Sequence, residues 1–127
     1  MNDSLEERFT YYYDRLRGPE QDDAYHSLLE MNSGIASYLQ QKFEAEADPD
    51  VAALVLKILS QTAPAESRAL FFRAVHSSER AIRREALNGL LELDHKLARK
   101  LLEQARRELP QFREEIDDAL ESLGDDR

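Results

Sequence analysis

The sequence has no cysteine and no tryptophan, and only four glycines, four prolines and three histidines among 127 residues. Without cysteine there is no disulfide, thiolate zinc site, iron–sulfur ligation or cysteine nucleophile, and the redox compartment stays open. Glycine is too scarce for a phosphate-cradling loop, and neither that motif nor Gly-x-Ser-x-Gly occurs. His26, His76 and His95 form no His-x-x-x-His pair, so no helix offers two imidazoles to a metal. No apolar run approaches the ~20 residues of a bilayer span, and Met1 to Arg8 lacks the basic-then-apolar pattern of a secretion signal. These absences lead to the expectation of a cytoplasmic chain without membrane contact, metal or cofactor.

What is abundant is charge. Lys and Arg number 17 against 26 Asp and Glu, a net charge of −9, which disfavours nucleic acid as a partner because phosphate binding needs net cation placement. The excess is uneven: residues 1–62 carry 5 cations and 12 anions (−7), residues 63–109 carry 10 and 7 (+3), and residues 110–127 carry 2 and 7 (−5). A mildly basic middle lies between acidic ends. It reads either as a local cationic strip or as ordinary solvated helix surface.

Val, Ile and Thr together number nine, no stretch alternates apolar and polar long enough for a half-buried strand, and Ala, Leu, Glu, Arg and Gln dominate. The expected fold is all-α, in a single domain as 127 residues suggest, with about eight helices. The first runs over 4–17, stopped by Gly18-Pro19. The second covers 21–31, broken at Asn32-Ser33-Gly34, and the third carries Ile35, Ala36, Leu39 and Phe43. Asp48-Pro49-Asp50 caps the fourth, Pro64 opens the fifth, Ser78-Glu79 the sixth, Asp94 the seventh and Pro110 the eighth, which ends at Gly124. The closing Asp125-Asp126-Arg127 is expected to fray.

At an offset of 31 residues the apolar positions come into register three times. Ala24/Val55/Ala86, Tyr25/Leu56/Leu87 and Leu28/Leu59/Leu90 align in the first helix of each pair; Ala36/Ser67/Ala98, Leu39/Leu70/Leu101 and Phe43/Ala74/Ala105 align in the second. A helix pair of this length leaves one face uncovered, so copies stack into a short α-solenoid. The implied organisation is a capping helix over 1–19, three repeats over 20–109, and a capping helix and tail over 110–127.

The runs Asp48-Pro49-Asp50-Val51-Ala52-Ala53-Leu54-Val55-Leu56 and Ser78-Glu79-Arg80-Ala81-Ile82-Arg83-Arg84-Glu85-Ala86-Leu87 resemble the first helix of a HEAT repeat. The likeness is to the short bacterial kind also seen in phycobilisome-lyase-like proteins, in which an acidic or Pro turn precedes Val/Ile-Arg-x-x-Ala-x-x-x-Leu. It spans about residues 20–109 and departs at Ala52, where the family usually has Arg, and in the first copy, which lacks the Val-Arg pair. The resemblance implies a right-handed superhelix with the second helices on the concave face, and says little about activity. Relatives of this type include chromophore lyases and DNA-repair glycosylases, so an enzyme or enzyme subunit is one reading.

Glu44, Glu46, Asp48 and Asp50 bunch in one turn, either as a cation site or as helix caps. An EF-hand would need Gly at loop position six and Glu at twelve, where counting from Asp48 finds Ala53 and Leu59. Glu114-Glu115 and Asp117-Asp118 read as a polar cap. At 100° per residue the side of the second helices away from the core carries Tyr38, Gln41 and Lys42, then Phe72, Arg73 and His76, then Lys100, Glu103 and Arg107. Because Leu70 and Phe71 already serve the core, Phe72 is either an outward aromatic anchor or packing between neighbouring helices. Tyr11-Tyr12-Tyr13 cannot all face one way, so at least one is wet or covered from outside the repeat core. The expectation is a non-enzymatic adaptor, scaffold or regulatory subunit, monomeric or weakly dimeric, gripping a protein partner on this stripe. The alternative is an acidic immunity-type inhibitor of a basic toxin.

Overall fold

The computed structural model describes residues 3–124. Eight α-helices follow one another: α1 (Asp3–Asp14), α2 (Gln21–Glu30), α3 (Ala36–Ala45), α4 (Pro49–Thr62), α5 (Arg68–Ala74), α6 (Arg80–Leu91), α7 (His95–Glu108) and α8 (Arg113–Leu123). Among the described residues there is no strand, and no helix is long and apolar enough to cross a membrane. The expected fraying of Asp125 to Arg127 falls outside the described residues.

The helix ends are set by the expected punctuation. Asp48 accepts a hydrogen bond from the Asp50 amide (2.9 Å) with Pro49 just inside α4, and Asp94 accepts one from the Leu97 amide (3.4 Å). Gly124 closes α8 at φ 79°, a positive-φ conformation open to glycine because it has no Cβ. The break before α3 uses Asn32 (φ 57°) rather than Gly34 as its left-handed residue, a role that asparagine tolerates. Pro64 and Pro110 each lead into a single 3₁₀ turn, so α5 begins only at Arg68 and has seven residues.

Helices α2, α4, α6 and α8 pack each on the next, with the most extensive interface between α4 and α6. Both helices carry small buried residues, Ala52 and Ala53 on α4 and Ala86 on α6. The odd-numbered helices lie against this series, α1 on α2, α3 on α4, α5 on α6 and α7 on α8. In sequence α5 follows α4 as its hairpin partner, yet its closer packing is on α6. α1, α3 and α7 show the same preference, and at α5 the contact is specific: the fully buried Phe71 ring fills the notch at Gly89, where a Cβ would lie 2.7 Å from three ring atoms. Gly89→Ala is therefore expected to destabilise by about 1 to 3 kcal/mol, despite alanine's better helix propensity, in a urea titration against wild type.

Burial repeats with the sequence register. Ala24, Val55 and Ala86 are all buried, as are Leu28, Leu59 and Leu90, and Ala36, Ser67 and Ala98. Tyr25, Leu101 and Phe43 are the members of other triplets that remain partly open.

Candidate functional site

The outward stripe predicted on α3, α5 and α7 divides into three parts. On α3, Gln41 is exposed, but Tyr38 and Lys42 are half-buried beneath α1. The Tyr38 ring stacks on Phe9 with centroids 5.4 Å apart, and the Lys42 ammonium sits 5.2 Å from the Tyr13 ring centroid. These two residues therefore help to seat α1 rather than face outward. The tyrosine triplet sorts accordingly: Tyr13 is buried, Tyr12 is half-buried, and Tyr11 is 50 % exposed with the Arg15 guanidinium 3.5 Å over its ring.

On α5 and α7 the stripe borders an apolar groove of about 400 Å³. It is lined by Ala69, Phe72, Leu97, Leu101 and Gln104 together with the exposed Arg68 and Arg73. Phe72 answers to both readings of the sequence. It is half-buried, with its ring edge-on to His76 at 5.5 Å, and it lines the open groove. His76 is itself anchored at both ring nitrogens: Nδ1 lies 3.1 Å from the Phe72 carbonyl oxygen and Nε2 lies 3.2 Å from a Glu108 carboxylate oxygen. Hydrogen bonds from Gln104 and His76 hold the Glu108 carboxyl below its ordinary pKa. Arg73 reaches Glu44 at 3.1 Å, but both side chains are more than half exposed, so water screens the pair.

Lys100, Glu103 and Arg107 are exposed on α7. Glu103 and Arg107 turn toward Leu120 of α8 and border a separate hollow there, leaving Lys100 beside the groove. Sequence reasoning placed Leu97 and Leu101 in the core and omitted Arg68 and Gln104. A signal was present: the apolar arc of α7, from Leu97 and Leu101 round to Ala98, Leu102 and Ala105, is wider than one neighbour covers, and short α5 leaves its edge open.

The acidic turn before α4 is structural. Asp48 caps α4, and Glu46 lies under the N-terminal segment, where it accepts hydrogen bonds from the Tyr13 hydroxyl (2.6 Å), from Arg17 and from the Asp48 amide (3.0 Å). Burial pushes the Glu46 carboxyl up, but these donors together outweigh it and bring its pKa from 4.5 down to about 2. Burial and the neighbouring carboxylate push the Tyr13 phenol up. The carboxylate's stabilising contribution is complete above about pH 4.5 and is lost as pH falls toward 2. Thermal melts between those values should show a steep decline for wild type and a shallower one for Glu46→Gln. That variant, already deprived of the charge, should start lower by about 1.5 to 3 kcal/mol at neutral pH. No cluster of three or more metal-ligating side chains occurs among the described residues.

No family model matches the chain, and neither a curated protein nor a solved structure matches it.

Proposed function

We propose that the chain is a HEAT-like α-solenoid of about three repeats, serving as a non-enzymatic protein-binding module that grips its partner on the face of the odd-numbered helices. The repeat reading draws on the equal burial of three of the six triplets spaced 31 residues apart and on the succession α2, α4, α6, α8. The observation that carries the binding reading is the groove between α5 and α7, where Phe72, Leu97 and Leu101 keep apolar surface open to solvent. Isolated exposed apolar residues are ordinary, but a contiguous apolar cluster that includes an aromatic is the form that binding anchors take.

The test is affinity capture from the source organism's lysate with wild type and the Phe72→Glu, Arg73→Glu double variant side by side, eluted in salt steps. The expected result is a defined partner retained by wild type and lost by the variant, with unchanged circular dichroism. Equal retention by both proteins removes the groove from the binding surface. A second reading, an acidic inhibitor of a basic protein, is favoured by the net charge of −9. It requires a partner that elutes steeply with salt and is indifferent to Phe72, because exposed charge pairs are screened whereas a seated apolar anchor is not.

A further inference from the structure

We infer that the groove between α5 and α7 receives an acidic amphipathic helix, with two apolar residues one turn apart seated over Leu97 and Leu101, beside Phe72. This rests on the binding reading above and names the partner's chemistry. The shape argument comes first. The groove runs between two helices, and a third helix laid into it would settle its side chains between their ridges. Leu97 and Leu101 are one helical turn apart, about 6 Å along α7, so a helix lying along it presents matching residues at i and i+4.

Charge then selects among helices. Arg68 and Arg73 line the groove, and no carboxylate does. Lys96 and Lys100 stand exposed on α7 beside it, while Glu103 and Arg107 belong to the separate hollow at Leu120; the nearby anions are Glu44, 3.1 Å from Arg73, and Glu108, 3.2 Å from His76, two carboxylates against four cations. The site is thus locally cationic on a chain of net charge −9, inside the segment 63–109 that carries +3. A basic helix would meet repulsion at the rim and gain nothing from the distant acidic ends, whereas an acidic one is complementary along both sides.

The probe is a synthetic amphipathic helix of about 15 residues, long enough to populate the helix, with leucines at i and i+4 and glutamates elsewhere on the flanks. A counterpart carries lysine for glutamate, and binding is read by fluorescence anisotropy. The acidic peptide is expected to bind at least tenfold tighter than the basic one. It should weaken at least tenfold on going from about 0.1 to about 1 M salt, as the screening length falls from about 10 to about 3 Å. It should also lose at least tenfold against an Arg68→Glu, Arg73→Glu variant, whose two substituted side chains are exposed and leave the fold intact, and against Leu101→Asp.

Equal affinity for acidic and basic peptides, or binding unchanged by both variants, overturns the inference. If peptide charge makes no difference while the lysate partner is still lost in Phe72→Glu, Arg73→Glu, the groove remains the binding surface and only the acidic-helix assignment fails. Sedimentation of the protein alone supplies the remaining outcome. Self-association abolished by Arg68→Glu, Arg73→Glu would make a second copy, through its acidic ends, the occupant and would overturn the assignment to a separate partner.

Discussion

Arg83→Ala is expected to lower the stability of the chain by about 3 kcal/mol or more, within the 3 to 5 kcal/mol typical of breaking one side of a buried ion pair. Arg83 is 7 % exposed although it is charged. Its guanidinium donates from Nε to one Glu115 oxygen (3.0 Å) and from Nη2 to the other (2.9 Å), a forked geometry that lysine cannot reproduce. Nη1 donates to the Ser77 carbonyl (3.1 Å), and the guanidinium carbon lies 3.9 Å from the Phe112 ring centroid. One side chain thereby joins α6, the turn before it, the entry to α8 and α8 itself. Truncation removes all four connections and leaves a carboxylate whose side chain is only 29 % exposed without its partner. Arg83→Lys should recover less than half of the loss. Arg83→Met with Glu115→Leu should be close to wild type, because an apolar pair of similar volume carries no desolvation penalty. Urea denaturation of the four proteins measures each value. A loss below about 1 kcal/mol in Arg83→Ala would show that water replaces the pair at little cost.

How much of this was legible beforehand follows from what periodicity encodes. The eight helices, the caps at Asp48 and Asp94 and the 31-residue burial pattern rest on local spacing, which the chain carries residue by residue. Arg83 could be singled out as part of a repeat motif, but its partner lies 32 positions away and no spacing rule names Glu115. The same limit hid the fate of the stripe. Tyr38 has the angular position of a surface residue, and only the docking of α1, which stands outside the register, brings Phe9 over it. Leu97 and Leu101 read as core because they continue an apolar face, and their exposure depends on how little of α7 a seven-residue α5 covers. Helical spacing says which residues seek burial. Whether a neighbour arrives is settled by loop geometry and by single notches such as Gly89 under Phe71.

Leucine at the repeated position offers the second large effect, and its size should depend on where in the series the leucine stands. Leu28, Leu59 and Leu90 are equivalent in the register and all fully buried. Removing three heavy atoms from a buried leucine costs about 2 to 5 kcal/mol, and the spread at fixed chemistry reflects how far the surroundings can collapse into the cavity. Leu59 is fully buried in α4, which is held by α2, α3 and α6. A cavity there is walled on several sides, so Leu59→Ala should fall at the upper end of the range. Leu28 lies in α2, whose neighbours are α1, its following 3₁₀ turn and α4. That end can give way by itself, so Leu28→Ala should cost nearer 2 kcal/mol and appear partly as local opening. Native-state hydrogen exchange separates the two cases. In Leu28→Ala, amides of α1 and α2 should lose protection while those of α4 and α6 keep theirs; in Leu59→Ala, protection should fall across all four helices together, because α4 is the connection through which the two ends are coupled. Uniform loss of protection in both variants would instead make the chain a single cooperative unit with no separable N-terminal end.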